Sequence, residues 1–128
     1  MTRIIAVLIC DDDPRIRTAL QALIDSDPTL AVAAVARDSA QAIALARLHH
    51  PTVAIVDVRM PGTGPDAVRG IRQHSPETGI LAYSAHDTRE AVDAMIQAGA
   101  DDYLLKSTSV PQILAAIHRL ADTEPHGS

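Results

Sequence analysis

Three consecutive carboxylates, Asp11, Asp12 and Asp13, follow an apolar run in the segment VLICDDDP, residues 7–14. Carboxylates crowded at low dielectric raise one another's pKa unless a cation joins them. A hard divalent cation relieves the repulsion, and a site with few protein oxygens and retained waters suits Mg²⁺. Asp13 has a separate structural role. It stands before Pro14, an N-cap followed by Pro at the first helical position. Three more groups with useful chemistry close apolar runs further on: Asp57 after VAIV, Ser84 after ILAY and Lys106 after YLL. Lys106 is the only lysine among eleven Lys and Arg residues. In a chain so biased to Arg, a lone Lys facing an acidic edge suggests a site that needs a compact point charge.

These groups need elements to bring them together. Short β-branched runs at 4–10, 31–35, 53–56, 80–83 and 103–105 alternate with helical stretches at 14–25, 39–49, 66–74, 88–98 and 109–121. The runs are mostly apolar instead of alternating, as strands covered on both faces must be. Five βα units in a row predict an α/β fold: a doubly wound, five-stranded parallel sheet flanked by five helices. In such sheets ligands bind at the carboxyl ends of the strands, where Asp11, Asp12, Asp57, Ser84 and Lys106 all fall. Asp87 is placed to cap the fourth helix, and Gly99 sits where that helix should end. In the last helix Val110, Ile113, Leu114, Ile117 and Leu120 form an apolar stripe at helical spacing.

Composition narrows the function. The 128 residues make one domain with 47% hydrophobic residues but no Phe, no Trp and two Tyr, so the core is aliphatic. A net charge of −5 argues against direct binding to nucleic acid or an anionic membrane, and stacking aromatics for single strands are nearly absent. The single Cys10 excludes an intrachain disulfide framework and fits a reducing, cytoplasmic setting. The apolar segment 4–10 is too short for a membrane span and lacks a cleavage site.

An acidic pair after strand one, DVRMPG after strand three, Ser84-Ala85 after strand four and AGADDYLLKS around strand five occur in this order. Together they resemble the receiver domain of two-component response regulators, the CheY-like fold, and look closest to NarL/FixJ-type receivers. The resemblance runs from about residue 3 to residue 121. It implies that Asp57 is the phosphoacceptor, taking a phosphoryl group from a phosphohistidine on a sensor histidine kinase. Asp11 and Asp12 would form the acid pocket, with Asp12, Asp57 and the backbone carbonyl of Arg59 holding Mg²⁺. Ser84 and Lys106 would bind phosphoryl oxygens. Ser84 and Tyr103 would be the switch pair that reshapes the surface of helix four, strand five and helix five, although plain packing also accounts for Tyr103. The product would be a signal, so the domain is not expected to be an enzyme. A homodimer on phosphorylation is a further option, and DNA would be reached only through an output domain that this chain lacks.

The chain departs from the pattern at Ser107, where most such receivers have Pro after the Lys, usually with a cis bond. A cis bond before Ser would cost about 2.5–4 kcal/mol. Arg59 and His86, two residues beyond Asp57 and Ser84, flank the site, and neither is a common choice for positioning water. Slow self-dephosphorylation is the expectation, with two solvent-exposed cations as the plain alternative. GTGPDA, residues 62–67, matches a dinucleotide-binding fingerprint. Its first Gly comes too late after Asp57 for the tight turn, and Pro65 removes a donor, so it reads as the loop into helix three. A phosphatase with a nucleophilic Asp would need Asp-x-Asp, and Arg59 stands at the second position. His49, His50, His74, His118 and His126 show no convergent ligand pattern and read as solvated surface. Residues 1–121 would then be the receiver and 122–128 a linker or frayed tail: the linker if the chain is part of a longer regulator. The alternative function is a constitutive protein-interaction module with the same fold, indifferent to phosphorylation.

Overall fold

The computed structural model describes residues 3–122. The elements alternate as β1 (Ile5–Cys10), α1 (Pro14–Asp25), β2 (Leu30–Ala36), α2 (Ser39–His49), β3 (Val53–Asp57), α3 (Gly64–His74), β4 (Gly79–Ser84), α4 (Arg89–Ala98), β5 (Asp102–Leu105) and α5 (Val110–Ala121). All strand pairs are parallel, in the order β2-β1-β3-β4-β5. The order reverses direction between β1 and β3, which opens a crevice at their carboxyl ends. Cys10 pairs with Val56 there, so the chain leaves β1 into its aspartates beside the end of β3.

The sheet is buried on both faces. On β1, Leu8 and Cys10 face one apolar cluster with Ala42, Ala67, Val68, Ile71 and Met95 from α2, α3 and α4. Val7 and Ile9 face the other, with Leu20, Leu23 and Ile24 of α1 and Ile113 and Ile117 of α5. Strands β1, β3 and β4 are almost wholly buried, whereas the edge strands β2 and β5 are mostly intermediate. Expected strand limits agree with the observed ones to within one residue. Helix α3 begins two residues earlier than expected, because Gly64 and Pro65 occupy its first turn, where a missing N–H is harmless.

Some expectations fail for local reasons. Thr88, not Asp87, caps α4: its Oγ1 accepts the Ala91 N–H at 3.2 Å, because the helix starts one residue later. Val110, at the mouth of α5, is 50% exposed and lies outside the buried stripe of Ile113 and Ile117. His118 is not solvated surface, since its Nε2 meets Asp27 Oδ2 at 2.9 Å across the α1–β2 loop. With Thr29 also donating to it, this contact holds the Asp27 carboxyl down at about 2. His50 ends α2 in the left-handed region with its ring near Ser75 Oγ. His126 and residues 123–128 of the expected tail lie outside the described residues.

Arg72 is a tie that no helical pattern announces. From α3 its guanidinium donates to the carbonyls of Pro76 (2.9 Å), Thr78 (2.9 Å) and Gly99 (2.7 Å) and to Asp101 Oδ2 (2.8 Å). Asp101 Oδ2 also accepts the N–H of Ile80, the second residue of β4. One side chain thus joins α3, β4 and the α4–β5 turn. Charged hydrogen bonds contribute about 1.5–3 kcal/mol each when they cannot be replaced by water. Arg72→Ala is therefore expected to lower the unfolding free energy by at least about 2 kcal/mol in urea titrations. A loss below about 0.5 kcal/mol would show that the tie is redundant.

Candidate functional site

The switch-point crevice collects the carboxylates. Asp11 leaves the end of β1, with its N–H still bonded to Ala36 O of β2 at 3.0 Å. Asp57 is the last residue of β3 and pairs in register with Tyr83. One carboxylate oxygen from each of Asp11, Asp12 and Asp57 lies within 4.8 Å of the others. Asp11 and Asp57 are 1% and 5% exposed, while Asp12 is open to solvent. Asp13 is outside this set: it caps α1 by accepting the Arg15 N–H at 2.9 Å, as its place before Pro14 predicts.

Lys106 supplies the countercharge. It follows β5, and its own N–H bonds Ser84 O at 2.7 Å, which fixes the β5–α5 loop against the end of β4. Its Nζ lies 2.8 Å from Asp11 Oδ2 and 3.4 Å from Asp57 Oδ1. Burial alone would lower the ammonium's pKa, but the two carboxylates outweigh it and hold Lys106 above its ordinary value. Burial and then the nearby Asp11 charge push Asp57 up to about 6, against the pull of Lys106 and the Arg59 N–H. That N–H donates to Asp57 Oδ1 at 3.3 Å. One cation does not satisfy the pocket. Asp11 Oδ2 is fully buried against the Lys106 ammonium at 2.8 Å, so a single positive charge faces the clustered carboxylates. Three converging hard oxygens with one ammonium beside them fit a divalent cation such as Mg²⁺.

Ser84 and Tyr103 meet through one residue. Ser84 is buried at the end of β4, and its Oγ accepts the His86 N–H at 3.1 Å. The Tyr103 hydroxyl donates to the carbonyl of the same His86 at 2.6 Å. Tyr103 is half-buried against the α2–α4 side of the core, whereas Tyr83 is buried among residues of the other face. Arg59 and His86 are both exposed, and the Lys106–Ser107 bond is trans.

A parallel five-stranded sheet with carboxylates at its switch point and a lysine at the end of its last strand has known relatives. The family described as "Response regulator receiver domain" matches residues 7–118. The chain belongs to that family. The nitrate/nitrite response regulator protein homolog of Haemophilus influenzae is 34% identical over 92% of this receiver and 57% of that protein. The signal receiver domain of the putative response regulator NarL from Mycobacterium tuberculosis superposes with a TM-score of 0.89 at 31% identity, covering 95% of this chain and 99% of that one. The receiver domain of the sensor histidine kinase PA1611 from Pseudomonas aeruginosa shares the fold, with a TM-score of 0.85 at 24% identity over 94% of this chain and 99% of that one. That structure has a magnesium ion coordinated in its active-site cleft. The receiver spans a little over half the length of the curated relatives it matches.

The sequence reading missed two residues that shape this receiver's site. A Cβ on Gly64 would lie 2.4 Å from Asp57 O and 2.7 Å from Val58 Cα, so only Gly lets α3 start against the end of β3. Its place in GTGPDA marks it as a turn residue but says nothing of Asp57. Arg17, on α1, donates from Nη1 to Asp11 O at 2.9 Å, and nothing in the segment PRIR distinguishes its reach from that of Arg15.

The raised pKa of Asp57 has a stability consequence. Its folded value, about 6, stands above the ordinary 3.8. Its stabilising contribution is therefore complete below pH 4 and is lost as pH rises through 6, so at pH 8 the ionised group destabilises the metal-free domain. Asp57→Asn is expected to be more stable than the parent at pH 8 in chelator by on the order of 2 kcal/mol. Chemical denaturation from pH 8 to pH 4 should show the advantage shrinking, and a difference independent of pH would contradict this assignment.

Proposed function

We propose that this domain is a phosphorylation-driven switch of a two-component system, with Asp57 as the phosphoacceptor. The observation that carries the reading is the geometry around Asp57: a buried carboxylate at the switch point, 3.4 Å from the Lys106 ammonium and clustered with Asp11 and Asp12. In the transfer, an ionised Asp57 oxygen attacks the phosphorus of a phosphohistidine on a sensor kinase. The N–P bond breaks, its electron pair returns to the imidazole nitrogen, and an acyl phosphate remains on Asp57. Lys106 is close enough to both carboxylates to follow the charge onto a phosphoryl oxygen, while Asp11 keeps it oriented. Asp12, Asp57 and the Arg59 carbonyl, with Asp11 behind them, would hold Mg²⁺, which when bound neutralises phosphoryl charge.

Propagation follows from the His86 peptide. If Ser84 Oγ turns to a phosphoryl oxygen, the His86 N–H loses its acceptor, and the Tyr103 hydroxyl on the same residue's carbonyl is loosened with it. The surface formed by α4, β5 and α5, with Ile96 and Val110 exposed on it, is then the readout. The phosphoryl group stays on the chain that accepts it, so the domain signals and does not turn over substrate. Its partners are a sensor histidine kinase, a second copy after phosphorylation, and DNA by way of an output domain of a longer regulator, with residues 1–121 the receiver and 122–128 a linker or tail. Relatives named as response regulators and a transcriptional regulatory protein, of which this receiver covers a little over half, support an output domain in a longer regulator. The buried free thiol of Cys10 fits a reducing cytoplasm, and no described helix is long and apolar enough to cross a membrane.

Incubation with acetyl phosphate and Mg²⁺ should add one phosphoryl mass to the intact parent and none to Asp57→Asn. No gain in a folded parent would favour the constitutive interaction module instead. With Arg59 and His86 exposed two residues beyond Asp57 and Ser84, and neither a common choice at those positions for positioning water, the acyl phosphate should persist for minutes or longer at neutral pH. A lifetime of seconds, followed by mass after donor removal, would overturn this expectation of slow self-dephosphorylation.

A further inference from the structure

Arg17 stands where a cation is electrostatically out of place. It lies in the fourth position of α1, close to the positive end of the helix dipole. The first turn carries no acidic residue, and the neighbouring Arg15 is already answered by Asp13. Arg17 instead reaches back along the chain, donating from Nη1 to the backbone carbonyl of Asp11 at 2.9 Å. The Asp11 main chain is thereby held from both sides, its N–H on Ala36 O and its carbonyl on Arg17. The Asp11 carboxylate is braced as well, its Oδ1 accepting the Asp13 N–H at 2.9 Å. The peptide that Arg17 grips is the one joining Asp11 to Asp12. Its orientation sets where both carboxylates point relative to Asp57.

We propose that Arg17 is a positioning residue for the divalent-cation site, acting through the Asp11–Asp12 peptide. The inference rests on the reading of this acid cluster as a Mg²⁺ site. The direction of the effect separates positioning from charge. By Coulomb's law, removing a cation beside three carboxylates should tighten the binding of another cation. Removing a group that aims two of those carboxylates should weaken it. Groups that orient metal ligands typically govern about ten- to hundredfold in metal affinity.

The test is calorimetric titration of the full chain with MgCl₂, for the parent, Arg17→Met, Arg17→Lys and Arg15→Ala. Arg17→Met keeps the apolar stem and removes the donors. It should weaken Mg²⁺ about ten- to hundredfold. Arg17→Lys, which can still donate one hydrogen bond, should fall between Arg17→Met and the parent. Arg15→Ala removes a charge from the same turn without touching Asp11 and should leave Mg²⁺ affinity within twofold or tighten it. Unchanged or tighter binding in a folded Arg17→Met overturns the proposal, as does a parent that binds no Mg²⁺. Should Arg17→Met fail to fold, Arg17→Lys decides: weaker Mg²⁺ supports positioning, and parental affinity overturns it. Failure of the phosphoacceptor reading looks different. A parent that binds Mg²⁺ but never gains a phosphoryl mass, with Arg17→Met still weakening Mg²⁺, would sink that reading and leave this one standing.

Discussion

The Lys106 ammonium, held between two buried carboxylates, is the interaction on which the rest of this structure depends. Asp11 follows β1 and Asp57 ends the neighbouring β3 at the point where the sheet changes direction, and both are buried from water. Their repulsion is a built-in cost of the fold in its metal-free form. Lys106 offsets it only in part, and burial first, then the Asp11 charge, still hold the pKa of Asp57 above its ordinary value. That incomplete balance leaves the pocket short of positive charge, which is the feature a divalent cation would make good.

Around that centre the chain uses rigid structure to keep the charges where they are. Five parallel strands buried on both faces fix the height of every strand end, and the loops are fastened individually. Arg17 holds the turn after β1, Gly64 lets α3 close against the end of β3, and the Lys106 N–H ties the turn after β5 to Ser84. The far side of the molecule is clamped by Arg72, well away from the chemistry. The segment from Ser84 to Thr88 is joined differently: His86 is held by side-chain oxygens, Ser84 at its N–H and Tyr103 at its carbonyl. A linkage made of two side-chain bonds can be exchanged for others at small cost, whereas a strand ladder cannot. This is where a local change of charge finds room to become a change of shape.

Much of this was legible in the chain. The alternation of β-branched runs with Ala- and Leu-rich stretches determined five βα units, because buried parallel strands and amphipathic helices leave unlike patterns. Asp13 before Pro14 determined the cap of α1, and the order of Asp11, Asp12, Asp57, Ser84 and Lys106 along the strand ends determined which edge carries the chemistry. These features depend on neighbours in sequence or on the rule that parallel strands end on one side. Only the tertiary structure decided the rest. Nothing local distinguishes Arg17 from any other helical Arg, Arg72 from a solvated one, or His118 from a surface imidazole, since each is defined by a partner from 6 to 91 residues away. The choice of Thr88 over Asp87 as cap turned on a helix start one residue later, and the joint grip of Ser84 and Tyr103 on His86 on two contacts of 3.1 and 2.6 Å. Such distances are set by how the elements pack against one another, and a linear pattern does not contain them.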